Sequence, residues 1–114
     1  MRERLTAILS GLVRGLTDSE GAPAVSALVD ASDRDPEIRL LVHDFLVDRM
    51  APAPAILAEA IEAGDLARSL DIDLGVSMLA GPIFYRRLIS RETIDAAFAS
   101  AIVDQFLHLV GRSS

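Results

Sequence analysis

The stretch IDAAFASAIVDQFLHLV, residues 94–110, decides the fold of this chain, because as a helix it is apolar around most of its circumference. A helix on the surface of a monomer needs an apolar face of only roughly 100°. This helix therefore needs two partners. We expect the chain's own core to cover one face and a second copy of the chain to cover the other.

The preceding segment GPIFY, residues 81–85, points to the same dimer, since a small residue that allows close helix approach stands beside large apolar anchors. Two such helices from each chain would form an intermolecular four-helix bundle. The alternative is a monomer in which an apolar terminal helix is buried between its neighbours. The predicted dimer interface comprises Gly81, Phe84, Leu88, Phe98, Ile102, Gln105, Phe106 and Leu109.

Apolar residues at helical spacing continue upstream and predict an all-α fold, a single bundle of about six helices in one domain, residues 1–114. No stretch alternates as a strand would. The predicted helices are 2–16, 23–32, 36–50, 53–63, a fifth with apolar residues from 74 to 89, and the last helix described above.

Polar residues that can accept a hydrogen bond from a backbone N–H predict where these helices begin. Residues 17–20, TDSE, offer a capping box for the second helix. Asp35, followed by a first-turn proline, caps the third. Asp71 or Asp73 caps the fifth, and Ser90 caps the last.

Proline and glycine predict where the helices break. Pro52 and Pro54 predict a break or kink near Ala51, because each lacks an amide hydrogen and disfavours helix at the residue before it. Gly64 ends the fourth helix. Pro82 lies inside the fifth helix and should bend it.

The charge balance argues against nucleic-acid binding by this chain. Seventeen acidic and eleven basic residues give a net charge of -6, which repels a phosphate backbone. No apolar run reaches the roughly 20 residues of a membrane span, and no signal peptide precedes the first helix. The sequence contains no cysteine. We therefore expect a cytoplasmic protein without a membrane partner.

An inventory of reactive groups predicts neither catalysis nor a metal or cofactor site. The chain has no cysteine or lysine nucleophile, no glycine-rich phosphate loop and no serine with a plausible base nearby. Asp65, Asp71 and Asp73 fall at predicted helix ends, where capping accounts for them better than a bound cation does.

A ligand pocket would lie within the bundle and would be mostly apolar with a few polar groups. His43 stands among apolar neighbours and could bond a ligand, although a satisfied, partly buried histidine is the more common case. Tyr85 and Met78 could equally belong to the core or an interface. The candidate pocket residues are Val13, His43, Leu46, Met50, Met78 and Tyr85.

Residues 58–110 resemble the C-terminal half of a TetR-family transcriptional regulator. The similarity is carried by EAGDL at 62–66, LDID at 70–73 and LAGPIFYRRL at 79–88, followed by a helix that ends near Leu109. The prolines at 52 and 54 depart from the family's continuous central helix. The resemblance implies a homodimer whose C-terminal domain senses a small apolar effector, and a DNA contact made only through an N-terminal helix-turn-helix domain that this chain lacks.

The sequence thus predicts the effector-binding and dimerisation domain of a one-component regulator, usually a repressor in this family. Ligand binding would favour one placement of the two DNA-reading domains and so alter operator affinity. The alternative is a stand-alone helical dimer that acts as a protein-interaction module without a ligand. An apolar cavity of several hundred cubic ångströms would favour the first hypothesis, and a solid core the second.

Overall fold

Six α-helices form the framework of the chain in a computed structural model that describes residues 1–18 and 22–112, with the side chains of 22–24 left aside. They bear out the predicted all-α bundle. After the fifth helix, the chain continues in a π-helical segment, Tyr85–Ser90. The helices are α1 (Arg2–Thr17), α2 (Ala22–Ser32), α3 (Pro36–Arg49), α4 (Ala53–Glu62), α5 (Ile72–Phe84) and α6 (Ala96–Val110).

Two of the predicted helix caps are confirmed. The Asp35 carboxylate accepts a hydrogen bond of 2.9 Å from the Glu37 amide at the start of α3. The Asp71 carboxylate accepts one of 3.1 Å from the Leu74 amide at the start of α5. The break between α3 and α4 also falls where the prolines predicted it. The proposed capping box at 17–20 involves residues 19 and 20, which lie outside the described part of the chain.

The predicted cap of the last helix is wrong. Asp95, not Ser90, caps α6, and its carboxylate accepts a 2.8 Å hydrogen bond from the Phe98 amide. Ser90 still has helical backbone, at the end of the π-helical segment, whereas α6 begins only at Ala96. The Ser90 hydroxyl therefore cannot cap α6. That hydroxyl is buried without a hydrogen-bond partner. Arg91, in the left-handed conformation with φ of 60°, ends the segment.

The fifth helix does not continue as a bent α-helix to Ile89 as predicted. It changes to π-helical geometry at Tyr85, three residues after Pro82. Pro82 has no amide hydrogen and removes one donor from the α-helical ladder. The Tyr85 amide is shared between the carbonyls of Gly81 and Pro82. The widened geometry thus begins within one turn after the proline.

The core is organised around α1, which packs chiefly along α6 and also touches the other helices. One stripe of α1 is buried throughout its length. A further buried set from α4, α5, α6 and the connection after α4 closes around that stripe. The α1 stripe consists of Leu5, Leu9, Leu12, Val13 and Leu16.

α6 is tied to the rest of the bundle at two places. Arg2 of α1 makes a paired contact with Asp104, with Nε–Oδ1 and Nη2–Oδ2 distances of 2.6 and 3.0 Å. Beyond the end of α6, Gly111 forms an antiparallel β-bridge with Leu66. The Ala67 amide donates to the Val110 carbonyl at 3.0 Å and completes this clamp.

By contrast, α3 lies at the edge of the molecule, and none of its residues is buried. It pairs with α2, and this α2–α3 pair stands against the C-terminal end of α1. Across the described residues, no helix is long and apolar enough to cross a membrane.

We predict that Leu12→Ala lowers the free energy of unfolding by about 2–5 kcal/mol, because it leaves a cavity in the centre of the core. Leu12 is 0% exposed. The matched control is Leu40→Ala on α3, where the leucine is 62% exposed and the change should stay within about 0.5 kcal/mol. Urea unfolding followed by circular dichroism at one protein concentration measures both. Equal losses would contradict the described core.

Hydrogen bonds from Arg2, reinforced by its charge, lower the pKa of the Asp104 carboxyl below its ordinary value. A carboxyl whose pKa is lowered on folding stabilises the fold above its unfolded pKa, and this contribution is lost as the pH falls through the folded pKa. The pair is exposed, so its effect on stability is small. We expect an NMR titration to show the Asp104 pKa rising in Arg2→Gln and unchanged in Arg4→Gln, whose ion pair is with Glu59. If the Asp104 pKa is the same in both variants as in the wild type, the Arg2–Asp104 contact is refuted.

Candidate functional site

An apolar cavity of about 280 Å³ lies where the α2–α3 pair meets α1 and α5. Every lining residue that the structure describes is apolar or glycine. Its size is at the lower end of small-molecule pockets, roughly 300–1,000 Å³. The lining residues are Gly15, Leu16, Val25, Leu28, Val29, Leu41, Val42, Phe45, Leu46 and Phe84.

Helical periodicity explains which side of α3 faces this cavity. Val42, Phe45 and Leu46 follow at spacings of three and four and share one face. Leu41, next to this face, lines the cavity but is largely exposed, as is Leu28 to a lesser degree. The cavity therefore opens to solvent near these two leucines.

Two arginines contact the walls of the cavity. The Arg49 guanidinium lies over the Phe45 ring, with Cζ 5.1 Å from the ring centroid. Arg87 Nε donates a 3.2 Å hydrogen bond to the carbonyl of Leu16, in the last turn of α1. The cavity interior is apolar, and its positive charge is confined to the edge.

A second depression, of about 300 Å³, lies on the outer face of α5 and α6. Its surface is almost wholly apolar. Leu109 on this face is 69% exposed. Gly81, one turn along α5, is exposed, and a Cβ added there would meet nothing within 4 Å in this chain. We call this surface the α5/α6 face; its depression is lined by Met78, Pro82, Phe98, Ala101, Ile102, Gln105, Phe106 and Leu109.

The six residues predicted to form a ligand pocket do not lie together. Only Leu46 lines the cavity. Val13 and Met50 are buried in the core, and Met78 belongs to the α5/α6 face. Tyr85 is exposed.

His43, the polar candidate for that pocket, is also exposed. It points away from the cavity beside Asp44, with Nδ1 3.5 Å from the carboxylate. Its position on α3 lies on the side shared with Leu40 and Val47, both exposed.

The predicted set did not include the apolar residues of α2, nor Val42 and Phe45, which share one face of α3 with Leu46. The helical spacing of these residues is apparent in the sequence. Because α3 has apolar residues on both of its sides, that spacing alone does not show which side faces the cavity.

The residues predicted for the dimer interface are placed more closely together. Phe98, Ile102, Gln105, Phe106 and Leu109 all line the same depression. Phe106 is almost completely buried, so within one chain it is mainly a core residue.

The remaining three predicted interface residues lie in different surroundings. Gly81 is exposed on α5, and Leu88 is half-buried in the π-helical segment. Phe84 lines the apolar cavity instead, because the helix turns it towards α1 and α3.

The π-helical segment contacts both surfaces through consecutive residues. The Arg86 guanidinium stacks on the Phe98 ring, with Cζ 3.8 Å from the centroid, and donates to the Thr93 carbonyl at 3.3 Å. Arg87 bonds to the carbonyl of Leu16, a residue of the cavity wall. Arg86 and Arg87, adjacent in the chain, thus contact the α5/α6 face and the wall of the cavity respectively.

Comparisons with known proteins agree on one family. The family model described as the tetracyclin repressor-like, C-terminal domain matches residues 1–106. The chain is 30% identical over 95 residues to the uncharacterized HTH-type transcriptional regulator YdeS of Bacillus subtilis, covering 82% of the chain and 48% of that protein. The chain thus spans about half the length of this curated relative.

A solved structure matches the fold over almost the whole chain. It is the crystal structure of the TetR family transcription regulator SCO0332, with a TM-score of 0.80 and 28% sequence identity. The match covers 96% of this chain and 61% of the solved chain. The arrangement of helices described above is therefore that of a longer, known regulator.

Proposed function

This chain belongs to the TetR family of transcriptional regulators, and we propose that it is the effector-sensing and dimerisation domain of such a regulator. The observation that carries the sensing role is the cavity of about 280 Å³, whose described lining consists of apolar residues and glycine. A domain that served only to bind another protein would gain stability from filling this space. The cavity favours a small apolar effector over the ligand-free interaction module.

The dimerisation role is supported by the α5/α6 face. Its apolar surface, including the 69% exposed Leu109, faces solvent in the single chain. A two-fold axis through such a patch brings the same residues of both copies together. An exposed glycine at position 81 costs about 1 kcal/mol in a helix relative to alanine, and close approach of a partner helix would account for it.

An effector can act on the dimer through the contacts of α5. The effector would touch Phe84 and Leu16. Phe84 directly precedes the π-helical segment, in which Arg87 bonds to the Leu16 carbonyl and Arg86 stacks on the Phe98 ring. An effector that binds one arrangement more tightly than another shifts the population towards it. We propose that this shift changes the spacing of the two DNA-reading domains of the intact regulator, and that the regulator is a repressor released by its effector.

We predict that the chain has a solution mass of about twice 12.2 kDa and that Leu109→Asp reduces it towards one copy. The added carboxylates would be buried against each other in the symmetric interface. The control is Val47→Asp on the outer side of α3, where the valine is 54% exposed and the mass should stay unchanged. Size exclusion with light scattering over a concentration series measures this. A wild type that remains a single copy throughout, or equal effects of both variants, would contradict the interface.

We predict that 1-octanol, an uncharged apolar probe, raises the melting temperature of the wild type and not that of Val42→Phe. In Val42→Phe the larger ring fills the cavity from α3, so the probe has no space to bind. In the wild type, a ligand at a hundredfold excess over its Kd stabilises the folded state by about 2.7 kcal/mol. Val47→Phe makes the same change on the outer side of the helix and should leave the shift intact. The sensing role fails if the wild type does not respond, or if the filled variant responds equally.

A further inference from the structure

Arg49 lies at the end of α3 and touches two residues of the cavity wall. Its guanidinium covers the Phe45 ring, with Cζ 5.1 Å from the centroid. A Cβ added at Gly15 would lie 3.6 Å from both Cζ and Nη2 of Arg49. The guanidinium therefore lies within van der Waals distance of the position that a Cβ at residue 15 would take, beside two residues that line the cavity.

Among the described residues, no carboxylate lies within ion-pair distance of Arg49. Within the described ranges, Arg2, Arg4, Arg34 and Arg86 each lie within 4.0 Å of a carboxylate, whereas Arg49 has neither an ion pair nor a hydrogen bond. Stacking on a ring occupies one face of a guanidinium and leaves its in-plane N–H groups able to donate. Arg49 is therefore a positive group with unused donors at the edge of an apolar cavity.

From this juxtaposition we propose that the effector is an amphiphile with a short apolar tail and a carboxylate head, and that Arg49 determines the specificity for that head. The inference rests on the proposed function, because it uses the same cavity. The tail would fill the apolar interior, and the carboxylate would accept hydrogen bonds from the guanidinium in the paired geometry that arginine offers. One guanidinium matches one negative charge, which favours a carboxylate over a phosphate dianion.

The volume of the cavity, which opens to solvent on one side, guides the size of the probe. At ~30 Å³ for a water-sized group, 280 Å³ holds about nine such groups. An eight-carbon chain is the matching size. Octanoate and 1-octanol each have eight carbons in an unbranched chain and differ in the head group, a charged carboxylate against an uncharged hydroxyl, so the pair separates recognition of the head from filling of the cavity.

The test is calorimetric titration of the purified chain with octanoate and with 1-octanol at pH 7, in the wild type and in Arg49→Gln. We expect Arg49→Gln to weaken octanoate binding about tenfold, as for loss of a charge-assisted hydrogen bond, and to leave 1-octanol binding unchanged. Arg49→Lys should restore part of the octanoate affinity, since it keeps the charge but not the paired geometry. Arg68→Gln makes the same change of charge at a different surface depression and should alter neither ligand.

Three results would overturn the inference. If octanoate binds the wild type and Arg49→Gln equally, the head is not recognised, and the cavity remains a site for uncharged apolar ligands. If Arg49→Gln lowers the melting temperature without changing the ratio of octanoate to 1-octanol affinity, Arg49 serves only to stabilise the end of α1. If neither compound binds, both the carboxylate specificity and the sensing role of the cavity are lost.

Discussion

Burial of the α1 stripe against α6 is the contact on which the rest of the structure depends. The five buried residues of α1 recur at spacings of three and four, so the stripe reaches from one end of the bundle to the other. α6 covers most of it, and α4 and α5 close the remaining sides. α6 is apolar around most of its circumference, and this packing buries only one of its apolar faces. The other face is left on the outer surface beside α5.

The same arrangement explains why the cavity occurs where it does. At the end of α1, Gly15 and Leu16 line the cavity together with residues of the α2–α3 pair and Phe84 of α5. No residue of α3 is buried, so this pair is held by half-buried contacts around the cavity rather than by a packed core. Segments of low contact density open at small cost in free energy. The cavity therefore lies beside the part of the bundle that can most readily adjust to a ligand.

Local chemistry explains how much could be predicted from the sequence. Asp35, Asp71 and the prolines after α3 act within one turn of the chain, and their effects were predicted correctly. The start of α6 was misplaced because Ser90 and Asp95 are both good caps, and the π-helical turn after Pro82 decides between them. The cavity depends on which side of α3 faces α2. That choice is made by packing between helices, so a histidine among apolar residues was a misleading signal.

The clamp beyond α6 has a mechanical consequence. The bridge between Leu66 and Gly111 pins the carboxyl end of the helix to the α4–α5 connection, and a Cβ at Gly111 would overlap the Leu107 carbonyl oxygen. Phe98 lies near the other end of α6, roughly 20 Å from this clamp at 1.5 Å per residue. A tilt of about 5° would carry Phe98 through roughly 1.7 Å over that length. Arg86, which stacks on the Phe98 ring, and Arg2, which pairs with Asp104, both contact α6 far from this clamp, so these two arginines limit such a tilt.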